Sequence, residues 1–308
     1  MVDNASWMLA ACLPYRAAFY RAGGWIKHWR SFSGFFSREE LEKASHLANQ
    51  ELIQLRNHAD IHMVNIFDQR YPALLRKIYD PPGVLFFKGP FPEAEPVAIV
   101  GTRNPSALSI AALDLLVPEL PWMGVVSGFA RGIDIAAHRA AMRSSRENSA
   151  VLGAGILHAG PTSSLAQFRS SPERICLISE FPPSFRAQAG YFPRRNRIIA
   201  GMARVVLIFQ APAKSGALIT ARYALEEGRE VMCFDHPLLT DRENAGARQL
   251  IADGATAFGV RGLEKRIFRQ PERRWTPDEA QFRFWEKKQA GLKWLKDDLF
   301  IEEDEKKR

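Results

Sequence analysis

From Val97 to about Val260, short apolar runs alternate with segments whose apolar residues recur at helical spacing. The runs are VAIV (97–100), GVVS (124–127), AVLG (150–153), ICLIS (175–179), VVLIF (205–209), VMCF (231–234) and ATAF (255–258). Residues 109–120, 133–142, 217–227 and 245–253 between them read as helices. The runs are apolar at successive positions rather than at every second one, as in strands covered on both faces. Strands of that kind alternating with helices predict a parallel sheet wound with right-handed crossovers. The expected fold class is therefore α/β, an extended Rossmann-like parallel sheet covered by helices. Ligands bind such sheets beyond the carboxyl ends of the strands, so the residues that follow each run carry the most functional weight.

The flanks have other patterns. Residues 1–64 read as a helical N-terminal region, with 39–55 the clearest amphipathic segment, and Trp7, Trp25 and Trp29 fit core anchors better than stacking platforms. In 65–96 prolines and glycines punctuate short apolar pieces, consistent with an extension leading into the sheet. The division expected is 1–64 helical, 65–260 the Rossmann-like domain, and 261–308 a basic linker followed by a short C-terminal helix over 277–299.

Composition narrows the partners. The chain has 308 residues, 46% of them hydrophobic, enough for a sizeable core, and a formal net charge of +8 that favours polyanions. Three widely spaced cysteines and no metal-ligand spacing fit buried free thiols in a reducing compartment. No apolar segment approaches the roughly 18 residues of a membrane span, so a cytoplasmic location without membrane contact is expected.

Candidate chemistry lies after the strands. VAIV runs into Gly101, Thr102 and Arg103 ahead of a helix that Ser106 can cap, and a helix amino end favours an anion. GVVS leads to SGFARGID (127–134), where Gly128 and Gly132 leave backbone exposed and Ser127 and Arg131 supply donors. VVLIF is followed by Lys214, Ser215 and Gly216, a third anion seat at a helix start. FPRRNRIIAG (192–201) packs Arg194, Arg195 and Arg197 into one turn, and arginine grips phosphate with two parallel hydrogen bonds. Taken alone, that turn fits equally a helix whose cations face water. Asp134 and His138, four apart, fit a capping carboxylate and a helix-face hydrogen bond better than a catalytic dyad. No Walker loop is present, and GAGILHAG (153–160) departs from the dinucleotide fingerprint, so no cofactor and no metal are expected.

Three loops bearing Arg or Lys at one sheet edge describe a basic crevice with several phosphate seats, suited to a polynucleotide. Tyr191, Phe192 and Phe129 stand near them, and stacking of a base on an aromatic ring contributes about 1–3 kcal/mol, which favours an unpaired strand. Phe129 reads rather as core.

The succession YPALLRKIYDPPGVLFFKG, VAIVGTRNPS, SGFARGIDIAAH, ISEFP, FPRRNRIIAG, SGALITARYALEEGREV and LIADGA resembles the DNA-processing protein A (DprA/Smf) family from about Ile66 to Phe258. The resemblance implies an extended Rossmann-like core that pairs into a homodimer. It also implies a positive pocket for single-stranded DNA, loading of RecA recombinase in natural transformation, and no established catalytic residue. Carried onto this chain, the pocket comprises Gly101, Thr102, Arg103, Ser127, Gly128, Arg131, Phe192, Arg195, Asn196, Arg197 and Lys214 to Gly216. Arg195 and Arg197 are the favoured contacts over Arg194. Departures are Gln210 in place of a glutamate, His236-Pro237 in place of Pro-Gly, and Arg248 in place of an asparagine. The alternative is an enzyme like the nucleoside-monophosphate phosphoribohydrolases, but the glutamate their chemistry uses aligns near Arg222, which cannot act as a base.

Overall fold

The computed structural model describes residues 4–120, 124–159, 168, 171–260 and 263. The helix expected over 277–299 and the linker before it lie outside the described residues. Among the described residues nine strands form one sheet: β1 (His62–Asn65), β2 (Val84–Lys88), β3 (Val97–Gly101), β4 (Val125–Ser127), β5 (Asn148–Val151), β6 (Cys176–Ser179), β7 (Val205–Phe209), β8 (Glu230–Phe234) and β9 (Thr256–Phe258). Their order is β1-β2-β6-β5-β4-β3-β7-β8-β9. All seven apolar runs are strands, and they pair in parallel.

One edge departs from the expected all-parallel sheet. β2 pairs antiparallel with β6, and β1 antiparallel with β2. β2 lies in the segment read as an extension, while β1 replaces the last residues of the region read as helical, and the two cover the outer side of β6, which would otherwise present unpaired backbone groups.

β7 shows why its run is apolar throughout. Val205, Leu207 and Phe209 join one hydrophobic cluster with α5 (Ala107–Leu116) and α6 (Ile133–Arg143). Val206 and Ile208 join the cluster on the other face, with α7 (Tyr191–Met202), α8 (Ala217–Glu226) and α9 (Asp241–Ala252). The N-terminal helices share this second cluster, so their core runs into the sheet without a break. Trp7 stacks on Trp29 with ring centroids 3.5 Å apart, and Trp25 meets Phe19 edge-on at 4.6 Å, which makes them anchors as expected. The longest N-terminal helix spans Arg38–Asn57 because Ser37 and Glu40 form a reciprocal capping box at its start. Cys12, Cys176 and Cys233 are buried free thiols, and burial pushes the Cys12 and Cys233 thiols up to about 12.

The strand order reverses between β3 and β7, whose neighbours β4 and β8 lie on opposite sides. Such a switch point leaves a crevice beyond the carboxyl ends of the two strands, with a helix amino end on either side.

Candidate nucleic-acid interface

The crevice at the switch point has a volume of about 760 Å³ and is lined by the loops after β3 and β7 and by one face of α7. Gly101, Thr102, Arg103, Phe192, Arg195, Asn196, Lys214, Ser215 and Gly216 all border it. A second cavity of about 380 Å³ lies beside it and shares Arg103, Ala130, Phe192 and Arg195 as walls; Gly128 and Arg131 line it. The structure therefore gathers the loops after β3, β4 and β7 around α7.

Each loop is held by its backbone. The Thr102 amide donates to the Gln210 carbonyl at 2.9 Å, and the Ile133 amide donates to the Thr102 carbonyl at 3.1 Å, tying all three loops together. Gly132 has a φ of +92°, and a side chain there would strike the Thr102 and Arg103 backbone. Gly101 sits against the Phe209 carbonyl in the same way. Both glycines serve loop-to-loop packing, which for Gly132 differs from the exposed backbone expected of it. Gln210 is buried at a φ of +53°. Its side-chain oxygen accepts from the Ser106 amide and the Ser109 hydroxyl, both at 2.8 Å. The amide at this position thus braces the loop after β3 from below.

Arg103, Arg131 and Lys214 are exposed, and among the described residues none of them forms an ion pair. Arg131 is oriented by a 2.9 Å hydrogen bond to the side-chain oxygen of Asn104, a residue that no sequence signal singles out. Ser215 accepts from the Ala217 amide at 3.3 Å, and Gly216 stands at the amino end of α8. Unneutralised cations beside a helix amino end form an anion-binding surface.

The arginine-rich stretch is the first part of α7, and its arginines point different ways. Arg195 is buried at the crevice floor, where its Nη1 donates to the Gly128 carbonyl at 2.5 Å and to the Val151 carbonyl. A Cβ on Gly128 would lie 2.8 Å from that guanidinium and 2.7 Å from Asp134, so the glycine makes room for both. Burial lowers Arg195 to about 10, and Asp134 counters part of that. Burial raises Asp134 to about 6, against the pull of Arg195. The Asp134 carboxylate accepts from the Gly128 and Ala130 amides of the preceding loop at 3.1 and 3.3 Å, and His138 bonds Asn148 of β5 at 2.6 Å, so the pair brace the loop and the sheet where a helix cap and a helix-face bond were expected.

Two candidates need correction. Arg197 does not reach the crevice: its side chain is 1% exposed and grips Glu180 with two bonds of 2.8 Å and Asp80 with one of 2.9 Å. Its position on α7 turns it toward these carboxylates, and their charge holds it firmly protonated despite burial. Ser127 is fully buried, and its hydroxyl donates to the Ile99 carbonyl at 2.6 Å, so it joins β3 to β4 instead of meeting a ligand.

Among the rings, Phe192 is 41% exposed and leans on Gly153, where a Cβ would come within 2.7 Å of it. In the sequence Gly153 stands out only as part of a failed dinucleotide pattern. Phe129 is core, packed on Phe168 and His138, and Tyr191 is stacked on Phe181 at 4.2 Å. Arg248 lies apart from the crevice, bonded to Asp235, Asp241 and the Leu239 carbonyl. Among the described residues no cluster of three metal-ligating side chains occurs, and no helix is long and apolar enough to cross a membrane.

Comparison with known proteins points the same way. Residues 62–265 match the profile of the family described as DNA recombination-mediator protein A. The chain is similar to DNA processing protein DprA of Bacillus subtilis (strain 168), 39% identical over 203 residues, with 64% of this chain and 68% of that protein covered. It is 40% identical over 197 residues to Protein Smf of Synechocystis sp., covering 61% of this chain and 49% of the relative. The fold resembles the X-ray structure of DNA processing protein A from Streptococcus pneumoniae, with a TM-score of 0.67, 27% identity, and 83% and 95% of the two chains covered. It also resembles DNA processing protein A from Helicobacter pylori, whose structure describes a single-stranded DNA binding mode. There the TM-score is 0.58, the identity 26%, and the coverage 67% and 94%.

Proposed function

The chain belongs to the DNA recombination-mediator protein A family, and from that membership we propose that its switch-point crevice grips single-stranded DNA without altering it. One observation carries this reading: Arg103, Arg131 and Lys214 stand exposed around one crevice with no carboxylate paired to them among the described residues. Arg195 adds buried positive charge at the floor, and Asn196 and Ser215 add neutral donors. Phe192 offers a ring on which an unpaired base can stack, a contact closed to bases inside a duplex.

The gripped strand would be handed to RecA recombinase, with the protein acting as a homodimer in the cytoplasm, as the family's role in processing incoming DNA implies. A non-enzymatic role is supported by the lining itself. Asp134 is the only carboxylate among the described residues bordering the crevice, and it is buried and occupied with backbone amides. Arg222, where a phosphoribohydrolase would need its glutamate, is paired with Glu226 on the surface of α8.

The test is anisotropy of labelled oligo(dT) and of a duplex of equal length across a salt series, repeated with RecA present. The reading predicts preference for the single strand and a log-log salt slope of about −0.7 per phosphate neutralised. Absence of binding at low salt, or equal affinity for the duplex, would overturn it.

A further inference from the structure

The motif ISEFP places Glu180 directly after β6, and the crevice does not use it. Its carboxylate lies on the far side of α7. There it accepts two bonds from Arg197 and one of 3.1 Å from Arg194, while Asp80 takes the Arg197 Nε at 2.9 Å. Burial pushes Glu180 up, but Arg197 and Arg194 outweigh it and leave it below the usual carboxylate range, whereas at Asp80 burial outweighs Arg197 and raises the carboxyl. Arg194 also lies over the ring of Tyr15 at 4.5 Å, which brings the N-terminal helices into the same cluster. Gly201 lets α7 approach Leu75, whose side chain would be 2.8 Å from a Cβ there.

The helix therefore has two faces. Phe192, Arg195 and Asn196 meet the crevice, and Arg194 and Arg197 meet the carboxylates. Side chains reach about 5–6 Å from a helix axis, so a roll of about 20° moves their tips by about 2 Å. A shift of that size breaks a hydrogen bond and removes a ring from its stack.

We propose that Glu180 and Asp80 are positioning residues for strand binding, fixing the roll of α7 through Arg197 and Arg194 and so setting Phe192 and Arg195 in the crevice. The proposal rests on the single-stranded DNA reading of that crevice. It also makes the N-terminal helices, through Tyr15, part of the apparatus that sets it.

The sign of one substitution separates this role from a field effect. Taking a negative charge from beneath a DNA crevice strengthens binding if the carboxylate acts only through its field. It weakens binding if the carboxylate holds the helix. Glu180→Gln and Asp80→Asn, made in the full chain and carried also on a Phe192→Trp reporter, are to be measured for oligo(dT) affinity across salt. The expected result is a loss of about five- to tenfold with an unchanged salt slope, since no phosphate contact is removed. The emission of the added indole, taken as the difference from the same chain without the reporter, should shift as well. Unchanged or increased affinity in a folded variant overturns the proposal, as does an unmoved reporter emission. If Glu180→Gln does not fold, Asp80→Asn decides, because Asp80 is the more exposed partner at 14% against 6%. Failure of the unmodified chain to bind oligo(dT) would instead overturn the DNA reading, and the reporter emission would still show whether the carboxylates position α7.

Discussion

Arg103, on the loop after β3, and Arg197, on α7, carry the same side chain, yet one stands exposed at the crevice mouth and the other is 1% exposed with two carboxylates on it. The mouth and the buried side of α7 are both rich in cations. They differ in acceptors. Around Arg103, Arg131 and Lys214 no carboxylate among the described residues forms an ion pair, Asp134 being taken up by backbone amides, whereas behind α7 Glu180 and Asp80 meet the guanidinium groups. Positive charge becomes a binding surface only where the fold leaves it unneutralised, and elsewhere it becomes part of the frame.

The sharpest break between the two regions is in stability. Arg197→Ala leaves the partly buried Asp80 without its guanidinium and the buried Glu180 with Arg194 alone, and should cost about 3–5 kcal/mol in urea denaturation. Arg103→Ala, at an exposed position, should stay within about 0.5 kcal/mol. A small loss at Arg197 would erase the distinction.

Gly128→Ala tests the boundary between the regions. The added methyl meets both Arg195 and Asp134, and overpacking of this kind costs about 1–3 kcal/mol. It should also displace Arg195 and lower oligo(dT) affinity, which Gly216→Ala, with open space around it, should do less. Equal binding losses in the two variants would count against Arg195 as a fixed part of the floor.

Acid gives a smaller effect. Burial holds His138 and His236 down at about 4, so between about pH 6.5 and 4 the unfolded chain takes up protons that the folded one refuses, and stability falls as pH falls. Asp134, held up at about 6, acts oppositely: the folded state binds its proton first, which favours folding as pH falls from about 6 toward 3.8. Asp80 and Glu227, raised by burial, act with Asp134, and the lowered Glu180 acts with the histidines; the two histidines carry the larger shifts, which gives a net loss on acidification. Urea midpoints at pH 7 and 4.5 should differ in that sense, and His138→Gln should flatten the difference.

The parts of the molecule that were legible in its sequence are those governed by neighbouring letters. β7 matches the run VVLIF residue for residue because both faces of the sheet are covered there, and α5 starts after Ser106 because that side chain caps it. The antiparallel edge was not legible, because nothing local says that residues 84–88 will pair with β6. The arginines of α7 show the same limit at the site. Arg195 and Arg197 are two residues apart, and what separates their roles is Asp80, 117 positions earlier in the chain, and Glu180, 17 earlier. Ser127 reads as a free donor for the same reason: its acceptor, the Ile99 carbonyl, is supplied by the adjacent strand.

The most direct test of the central claim is the salt dependence of oligo(dT) binding by the triple variant Arg103→Ala, Arg131→Ala, Lys214→Ala beside the unmodified chain, with urea midpoints in parallel. The expected log-log slope is shallower by about two units, at about 0.7 per lost phosphate contact, with stability nearly unchanged. An unaltered slope in a folded triple variant would contradict it.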